Sequence, residues 1–308
     1  MPNREKKVLR LGATAELYQP KLLILFFLVP ALFLYLLFFI YPMAQAVALS
    51  LFRGSASAEH FEFVGFANFK KLLFHDAYFW NSLWHNVLFI LIGGSFTLVL
   101  SLTIAVALTY CGRLRTFFRV VFIFPNVMAV VAISILWSFI FNPSFGILNA
   151  VLRLLKMPHL CHAWLGEPGT ALWSVIIIHV WSVTGFYIIL FYAGLLRIPS
   201  ELLEAAKIDG ASGFQTFFYV TLPLLSEILK IAVIYIIITS VKIFALVFIV
   251  NETQSNRYND VLLTYLYEQG FINGNFGYAC AIGVMMLIFA LMLTVIISRL
   301  FRQKVIEI

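Results

Sequence analysis

Two long apolar stretches of this sequence carry polar and aromatic side chains that could contact a bound solute. They are His179, Trp181, Thr184 and Tyr187 in one stretch, and Tyr235, Thr239, Ser240 and Lys242 in the other. Aromatic rings can cover the apolar face of a sugar ring, while hydroxyl and imidazole groups can form hydrogen bonds with its edges. The same residue types also join helices within membrane bundles and collect at membrane interfaces. The pattern therefore predicts either a solute pathway or interhelical contacts.

Lys242 is the most informative of these residues, because a lysine deep in hydrocarbon costs about 2.5–3.5 kcal/mol on insertion scales. It shares one helical stripe with Tyr235 and Thr239. Helical rise places it roughly 12 Å from the end of its stretch, a distance that snorkelling covers in part. If it does not snorkel, its charge needs a carboxylate on another subunit, water and backbone carbonyls along a pathway, or an anionic solute.

The composition excludes an ordinary soluble domain. Of 308 residues, 62% are hydrophobic and 11% are charged, and several apolar runs approach the ~20 residues that a membrane-spanning helix needs. We predict an all-α integral membrane protein whose six transmembrane helices lie at 22–51, 84–110, 117–141, 172–196, 228–250 and 278–300. Residues 1–20 are predicted to form a polar, basic tail, and residues 21–308 a single transmembrane domain.

The basic residues predict the orientation of the chain in the membrane. Of 21 Lys and Arg residues, the tail and the loops on one side hold 14, the opposite loops hold six, and Lys242 is the remaining one. Cytoplasmic loops of membrane proteins carry the excess of positive charge. We therefore predict that both termini and the loop 200–223 are cytoplasmic. The same bias accounts for the net charge of +7 without a nucleic-acid partner.

The polar segment between the fourth and fifth predicted spans has clear helix-capping signals. Ser200 is the predicted N-cap of a short helix, and Asp209-Gly210 is predicted to end it because glycine tolerates a left-handed backbone. Ser212 and Gln215 have the spacing of a capping box, which predicts a second helix. Two short helices joined by a tight turn are therefore expected here.

The same segment resembles the EAA loop of ABC importer permeases. The matching positions are Glu204, Ala205, Ala206, Gly210 with Asp209 beside it, and the run 220–223, where Val220 replaces the usual Ile. In that family the loop is a cytoplasmic coupling helix that docks into a groove on the ATP-binding subunit, so the resemblance implies this role for the segment. An ordinary helical hairpin at a membrane surface would explain the helices but not the pattern.

Segments 63–69, 137–143 and 277–279 extend the resemblance to the sugar-importer subgroup, which includes the larger maltose permease subunit. Segment 251–255 departs from it, because that subgroup often has a Gly-Gly-Pro turn there. The resemblance implies the ABC importer permease fold in a prokaryotic inner or plasma membrane. It also implies translocation of a sugar or oligosaccharide by alternating access, with the pathway at the middle of the fourth and fifth spans.

The partners also follow from the resemblance. They are a second permease subunit, two copies of a cytoplasmic ATP-binding subunit, an external solute-binding protein and membrane lipid. This sequence contains no P-loop, so ATP and Mg²⁺ are expected on the ATPase subunits and no cofactor is expected in this chain. No catalytic role and no metal site are expected either. His159, Cys161 and His162 have a spacing that matches no closed zinc site.

Two rival functions remain open at this point. An ABC permease for an anionic solute, such as glycerol phosphate or a uronide, would provide a counter-charge for Lys242. A secondary transporter or a membrane enzyme without an ATPase partner would also contain several spans. Proton-coupled carriers usually hold intramembrane carboxylates, and the six predicted spans contain no Asp or Glu, which argues against the second rival.

Overall fold

The computed structural model describes residues 21–54, 61–254 and 257–301, and there the chain forms a helical membrane bundle. Five helices in this part are long and apolar enough to cross a membrane, or six if one sharply bent pair is a single span. In chain order they are Leu25–Leu49, Ala77–Tyr110, the bent pair Gly112–Val127 and Val130–Ile140, Ala171–Leu195, Ser226–Gln254 and Phe276–Leu300. We number them as the first to the sixth span. The predicted tail 1–20 lies outside the described residues.

Shorter elements connect these spans. They are the antiparallel strands Phe52–Arg53 and Glu62–Phe63, and the helices Ala67–Phe74, Ile147–Leu154, Ser200–Ile208, Gly213–Thr216 and Leu262–Tyr267. π-helical turns lie at Leu36–Ile40, Phe89–Gly93, Phe217–Thr221 and Glu268–Ile272. The all-α prediction is confirmed for the described residues, apart from this pair of two-residue strands.

The second span begins at Ala77, seven residues before the predicted start at 84. Asp76 caps this helix by accepting a hydrogen bond from the backbone N–H of Phe79, at 3.0 Å. The added turns contain Ser82, which is buried although it is polar. Hydropathy excluded these turns from the predicted span, because it does not register that tertiary contacts enclose their polar groups.

Two predicted spans are not continuous helices. The third bends by 97° between Val127 and Val130, where Met128 and Ala129 adopt extended backbone conformations. Pro125 lies in the last turn before the bend and has no N–H to donate within the helix. The fifth span consists of Ser226–Val241 and Ala245–Gln254, so the stripe that was predicted to continue to Lys242 stops where the first of these helices ends.

The fourth span lies at the centre of the bundle. Within its most apolar window 56% of the residues are buried, against 0% in the first span. Leu172, near its start, belongs to the same apolar cluster as Val250 at the end of the fifth span. Tyr192, near its end, packs in a second cluster with Ile228 at the start of the fifth span. The fourth and fifth spans are therefore antiparallel, and the loop between them lies at one end of the bundle.

Two glycines allow elements to approach each other closely. A Cβ atom added at Gly185, in the fourth span, would overlap the carbonyl oxygen of Phe122 in the third. A Cβ atom added at Gly277 would overlap the carbonyl oxygen of Phe52, in the strand that follows the first span. Any larger residue at either position would force the backbones apart. These contacts fix the third span against the fourth, and the sixth against the end of the first.

The first span is the least enclosed element. All side chains from residue 25 to residue 39 are exposed, and the span contacts the sixth span through its last turns, Tyr41–Leu49. Leu and Phe side chains dominate this exposed surface, with Phe26 at 73% and Phe39 at 68% exposure. An apolar surface of this kind requires lipid or another membrane subunit around it.

A buried carboxylate joins three elements at the end of the bundle opposite the 200–223 loop. Asp76 is 8% exposed and accepts hydrogen bonds from the Tyr265 hydroxyl, at 2.5 Å, and from the Tyr278 hydroxyl. With the bond from Phe79 N–H, the carboxylate accepts three hydrogen bonds. Hydrogen bonds to a charged acceptor are roughly twice as strong as neutral ones. Asp76 therefore ties the second span to the 262–267 helix and to the sixth span.

We expect Tyr265→Phe to destabilise the protein, because it removes one of these donors from a buried carboxylate. The loss should be about 1.5–3 kcal/mol, the usual contribution of a hydrogen bond to a charged group. Thermal unfolding in detergent, followed by intrinsic fluorescence, should show a midpoint lower by a few degrees. Tyr219→Phe is the matched control, since Tyr219 is 80% exposed. Equal midpoints for the two variants would contradict the role given to Asp76.

Candidate functional site

The loop that resembles the EAA motif contains a short helix, Ser200–Ile208. Its N-cap is Pro199 and not Ser200 as predicted, because Pro199 adopts the extended conformation (ψ 132°) that precedes the first helical residue. The predicted end is confirmed: Asp209 is the C-cap and Gly210 follows with φ +78°. A side chain at Gly210 would be strained in that backbone conformation.

The predicted second helix of the loop is also confirmed. The Gln215 backbone N–H donates to the Ser212 hydroxyl at 3.3 Å, and the Ser212 backbone N–H donates to the Gln215 side-chain oxygen at 2.8 Å. This reciprocal capping box begins the helix Gly213–Thr216. A π-helical turn then leads towards the fifth span. The two helices are therefore held in order by local hydrogen bonds and by the left-handed turn at Gly210.

The predicted coupling residues differ in their exposure to solvent. Glu204, Ala205, Asp209 and Gly210 are exposed, whereas Ala206 is buried. Exposed apolar side chains surround them: Ile208 at 86%, Phe214 at 74% and Tyr219 at 80%. Sequence reasoning did not identify these three residues, although apolar side chains in a short polar segment were a visible signal. Their exposure provides an apolar contact surface next to the motif.

The predicted pathway residues of the fourth span occupy different environments. Tyr187 is 1% exposed, and the buried Thr184 donates its hydroxyl proton to the Val180 carbonyl oxygen of its own helix, at 2.5 Å. His179 lies edge-to-face on Phe89 of the second span. The Thr184 bond lies within one helix, and the His179 ring contact joins the fourth span to the second.

Trp181 contacts a residue that sequence reasoning did not single out as a site. Its ring lies edge-to-face with that of Trp137, with 5.5 Å between centroids. The indole nitrogen of Trp137 is buried and has no hydrogen-bond partner among the described residues. Trp137 belongs to the half of the third span that follows the bend, so the bend is what brings the two indole rings together.

Three predicted residues of the fourth and fifth spans do lie together. The Tyr187 and Tyr235 ring centroids are 6.2 Å apart, and the Thr239 hydroxyl donates a hydrogen bond to the Tyr235 carbonyl oxygen at 2.8 Å. Tyr235 is 46% exposed and also contacts Phe186, at 5.1 Å between centroids. Tyr235 and the half-buried Thr239 present a ring and a hydroxyl group at the surface of the fifth span, and the buried Tyr187 packs against Tyr235.

Ser240 and Lys242 do not join this group. Ser240 is 1% exposed, and its carbonyl oxygen accepts a hydrogen bond from the Asn86 side-chain amide at 2.8 Å. Lys242 is the C-cap residue of Ser226–Val241, and its side chain is exposed. Among the described residues it forms no ion pair. The break in the fifth span therefore positions Lys242 at a helix end rather than within a helix.

Asn86 was not identified from the sequence, although it organises this region. It is fully buried. Its Nδ2 donates to the Ser240 carbonyl oxygen, and its Oδ1 accepts from the Leu262 backbone N–H at 2.9 Å. One side chain thereby satisfies a carbonyl at the end of Ser226–Val241 and an N–H at the start of the 262–267 helix. The only available signal was an amide within an otherwise apolar run.

Further polar contacts lie where the fifth span ends. Asp260 Oδ1 accepts hydrogen bonds from the Asn251 amide at 2.9 Å and from the Thr264 hydroxyl at 3.1 Å. Burial raises the pKa of the Asp260 carboxyl, and these hydrogen bonds together with Arg257 partly oppose the shift. Arg257 forms an ion pair with Glu268. The segment that departs from the sugar-importer subgroup, 251–255, therefore begins at a hydrogen-bonded polar cluster.

The loop 142–170, which the sequence predicts to be external, has no metal-binding arrangement among its described side chains. The His162 ring lies 2.9 Å from a Glu167 carboxylate oxygen, and Cys161 is hydrogen-bonded to the Asn149 carbonyl oxygen at 3.7 Å. In the described part of the chain, no group of three or more His, Cys, Asp or Glu residues could hold a metal ion. These side chains stabilise the loop.

Comparisons with known proteins agree with this architecture. Residues 98–307 match the family described as "Binding-protein-dependent transport system inner membrane component". The chain is 35% identical to the probable ABC transporter permease protein YurN of Bacillus subtilis (strain 168), over 92% of this chain and 97% of that protein. It is 33% identical to the diacetylchitobiose uptake system permease protein NgcF of Streptomyces coelicolor, over 84% of this chain and 76% of that protein.

A solved structure shares the fold. It is a bacterial ABC transporter involved in the import of the acidic polysaccharide alginate, with a TM-score of 0.78 and 21% sequence identity over 93% of this chain and 97% of that chain. The fold predicted from the EAA-like loop is thereby confirmed. The protein is an inner-membrane transport component and not itself an enzyme. The chain belongs to the binding-protein-dependent inner-membrane components, the permease subunits of ABC importers.

Proposed function

We propose that this chain is one of two permease subunits of an ATP-driven importer that translocates a sugar or oligosaccharide delivered by an external binding protein. The observation that carries the proposal is the 200–216 segment, where the EAA-like residues and exposed apolar side chains form one accessible surface at the end of the bundle. A surface of this kind suits docking to a soluble partner. The sugar is supported by the related NgcF protein, the permease of a diacetylchitobiose uptake system.

The complete transporter contains a second permease subunit and two cytoplasmic ATPase subunits, which bind ATP and Mg²⁺. Both termini and the 200–223 loop of this chain face the cytoplasm, in agreement with the excess of basic residues on that side. ATP binding closes the ATPase pair and moves the loop, which opens the pathway outward, and hydrolysis resets it. Solute moves because the two conformations bind it with different affinity.

The loop is well placed to transmit this movement. It joins the end of the fourth span directly to the start of the fifth, and these two spans carry Tyr187, Tyr235 and Thr239. A displacement of the loop therefore acts at the same time on both spans that carry these three residues. Trp137 and Trp181 provide a second aromatic surface, and the buried indole N–H of Trp137 is a donor for a solute hydroxyl group.

The coupling role of the loop predicts that Glu204→Lys and Gly210→Val abolish transport while the protein still inserts into the membrane. Glu204 is an exposed charge of the motif, and a β-branched side chain is strongly disfavoured at φ +78°. The measurement is substrate-stimulated ATPase activity of the reconstituted complex, which should fall to the unstimulated level in both variants.

Gly213→Val is the matched control for Gly210→Val. A Cβ atom meets nothing within 4 Å at either glycine, but only Gly210 has a positive φ. Gly213→Val should therefore keep most of the stimulation, because the change leaves the turn between the two helices intact. Wild-type stimulation in both Glu204→Lys and Gly210→Val would show that this loop does not couple the subunits.

An anionic solute, such as glycerol phosphate or a uronide, is the second candidate substrate. The observation in its favour is Lys242, which is exposed at the end of a helix within the fifth span and forms no ion pair among the described residues. An anionic group on the solute would neutralise this charge. The first candidate substrate is a neutral sugar, and in that case Lys242 lines the pathway and its charge is solvated by water.

Lys242→Met separates these alternatives, since methionine approximates the length of the lysine stem without its charge. We expect uptake to fall by less than tenfold if the solute is a neutral sugar. It should fall tenfold or more if the lysine pairs with an anionic solute, because a hydrogen bond to a charged group contributes about 1.5–3 kcal/mol. Lys230→Met, at the opposite end of the same span, is the control. Unchanged uptake by Lys242→Met would show that Lys242 does not line the pathway.

A further inference from the structure

Two cavities open at the end of the bundle opposite the 200–223 loop. Their volumes are about 320 and 670 Å³. Arg257, Asp260 and Glu268 line both of them and form the wall between them. Because the fourth and fifth spans are antiparallel, the end of the fifth span lies at the external face when the loop is cytoplasmic. We call these two cavities together the external cleft.

The external cleft carries an excess of negative charge. The charged residues that line it are Glu252, Arg257, Asp260 and Glu268, so three carboxylates face one guanidinium group. The guanidinium is already paired with Glu268. Burial and hydrogen bonding hold Asp260 at the wall, whereas Glu252 is exposed. With the three carboxylates ionised, the net charge of the lining is −2.

The remaining lining has the features of a saccharide subsite. Asn251 and Thr264 are almost buried, at 8% and 6% exposure, and both are anchored to Asp260. Phe248 and Tyr267 pack edge-to-face on the same wall, with centroids 5.2 Å apart. Carboxylates accept hydrogen bonds from sugar hydroxyl groups, while aromatic rings cover the apolar face of a sugar ring. The cleft thus combines fixed polar groups with an aromatic surface.

We propose that the external cleft is a saccharide subsite that accepts a neutral sugar on its way to the spans and repels anionic solutes. The inference rests on the proposed function, because it names the substrate class of that importer. A cavity whose lining carries a net charge of one sign concentrates or depletes charged solutes many-fold. The carboxylates oppose the approach of a phosphate or a uronate group, and Lys242 lies outside the lining and cannot offset them there.

The charge of the cleft can be measured without knowledge of the natural solute. Asn81 is exposed and lines the larger cavity, so Asn81→Cys provides a thiol there after Cys111, Cys161 and Cys280 have been replaced. The complete reconstituted transporter is labelled from outside with a cationic and an anionic methanethiosulfonate reagent at low ionic strength. Ser144→Cys, an exposed position in the external loop 142–170, is the control.

The ratio of the cationic to the anionic labelling rate should be about tenfold higher at Asn81→Cys than at Ser144→Cys. Glu252→Gln combined with Glu268→Gln brings the net charge of the lining to zero. In that variant the labelling-rate ratio at Asn81→Cys should equal the ratio at Ser144→Cys. High salt should do the same through screening. If the labelling-rate ratio is the same at Asn81→Cys as at Ser144→Cys while Glu252 and Glu268 are unchanged, the proposed selectivity is wrong.

A matched pair of trisaccharides tests the ligand class. Trigalacturonate and its methyl ester have the same sugar skeleton and differ in charge. The neutral ester should slow the labelling of Asn81→Cys by an uncharged thiol reagent, whereas the acid at the same concentration should not. Protection by the acid equal to that by the ester, or protection by neither, would overturn the proposal. ATP-dependent uptake, measured in the same vesicles, tests the proposed function separately.

Discussion

A polar backbone group inside a membrane must find a partner within the protein, and in this chain the Asn86 side chain meets that requirement at a critical point. It donates to the carbonyl oxygen of Ser240 and accepts from the backbone N–H of Leu262. The Asn86 side chain thereby joins the end of the helix Ser226–Val241 to the start of the 262–267 helix. Asp76, held by Tyr265 and Tyr278, fixes the other side of that helix.

This break divides the fifth span into two helices that contact different parts of the protein. The first helix presents Tyr235 to Tyr187 of the fourth span. The second helix directs Asn251 to Asp260 in the external cleft. At its other end the same span begins at the 200–223 loop, whose turn depends on Gly210. In the proposed mechanism, one span connects the ATPase contact, the solute pathway and the external entrance.

Local rules were sufficient for the parts of the fold that depend on neighbouring residues. The capping box of Ser212 and Gln215 and the left-handed turn at Gly210 follow from side-chain chemistry within a few positions. The apolar runs likewise located the fourth and sixth spans closely. The pattern around Glu204 then identified the family, which capping and hydropathy could not do.

The remaining features depend on contacts between residues far apart in the chain. Hydropathy could not place the start of the second span at Ala77, since its capping residue Asp76 is also held by Tyr265 and Tyr278. At the break before Lys242, the Ser240 carbonyl oxygen accepts a hydrogen bond from Asn86, more than 150 positions away. The Trp137–Trp181 contact requires the 97° bend of the third span. The sequence could therefore predict individual candidate residues for a pathway, but not which of them lie together.

In the proposed function, this chain moves solute only when ATPase subunits drive it. The most direct measurement is uptake of the solute found on the purified binding protein, into proteoliposomes that hold the complete complex. We predict that uptake requires ATP on the ATPase side and the loaded binding protein on the other, and that a proton gradient alone supports none. Uptake that follows the proton gradient and ignores ATP would contradict the account.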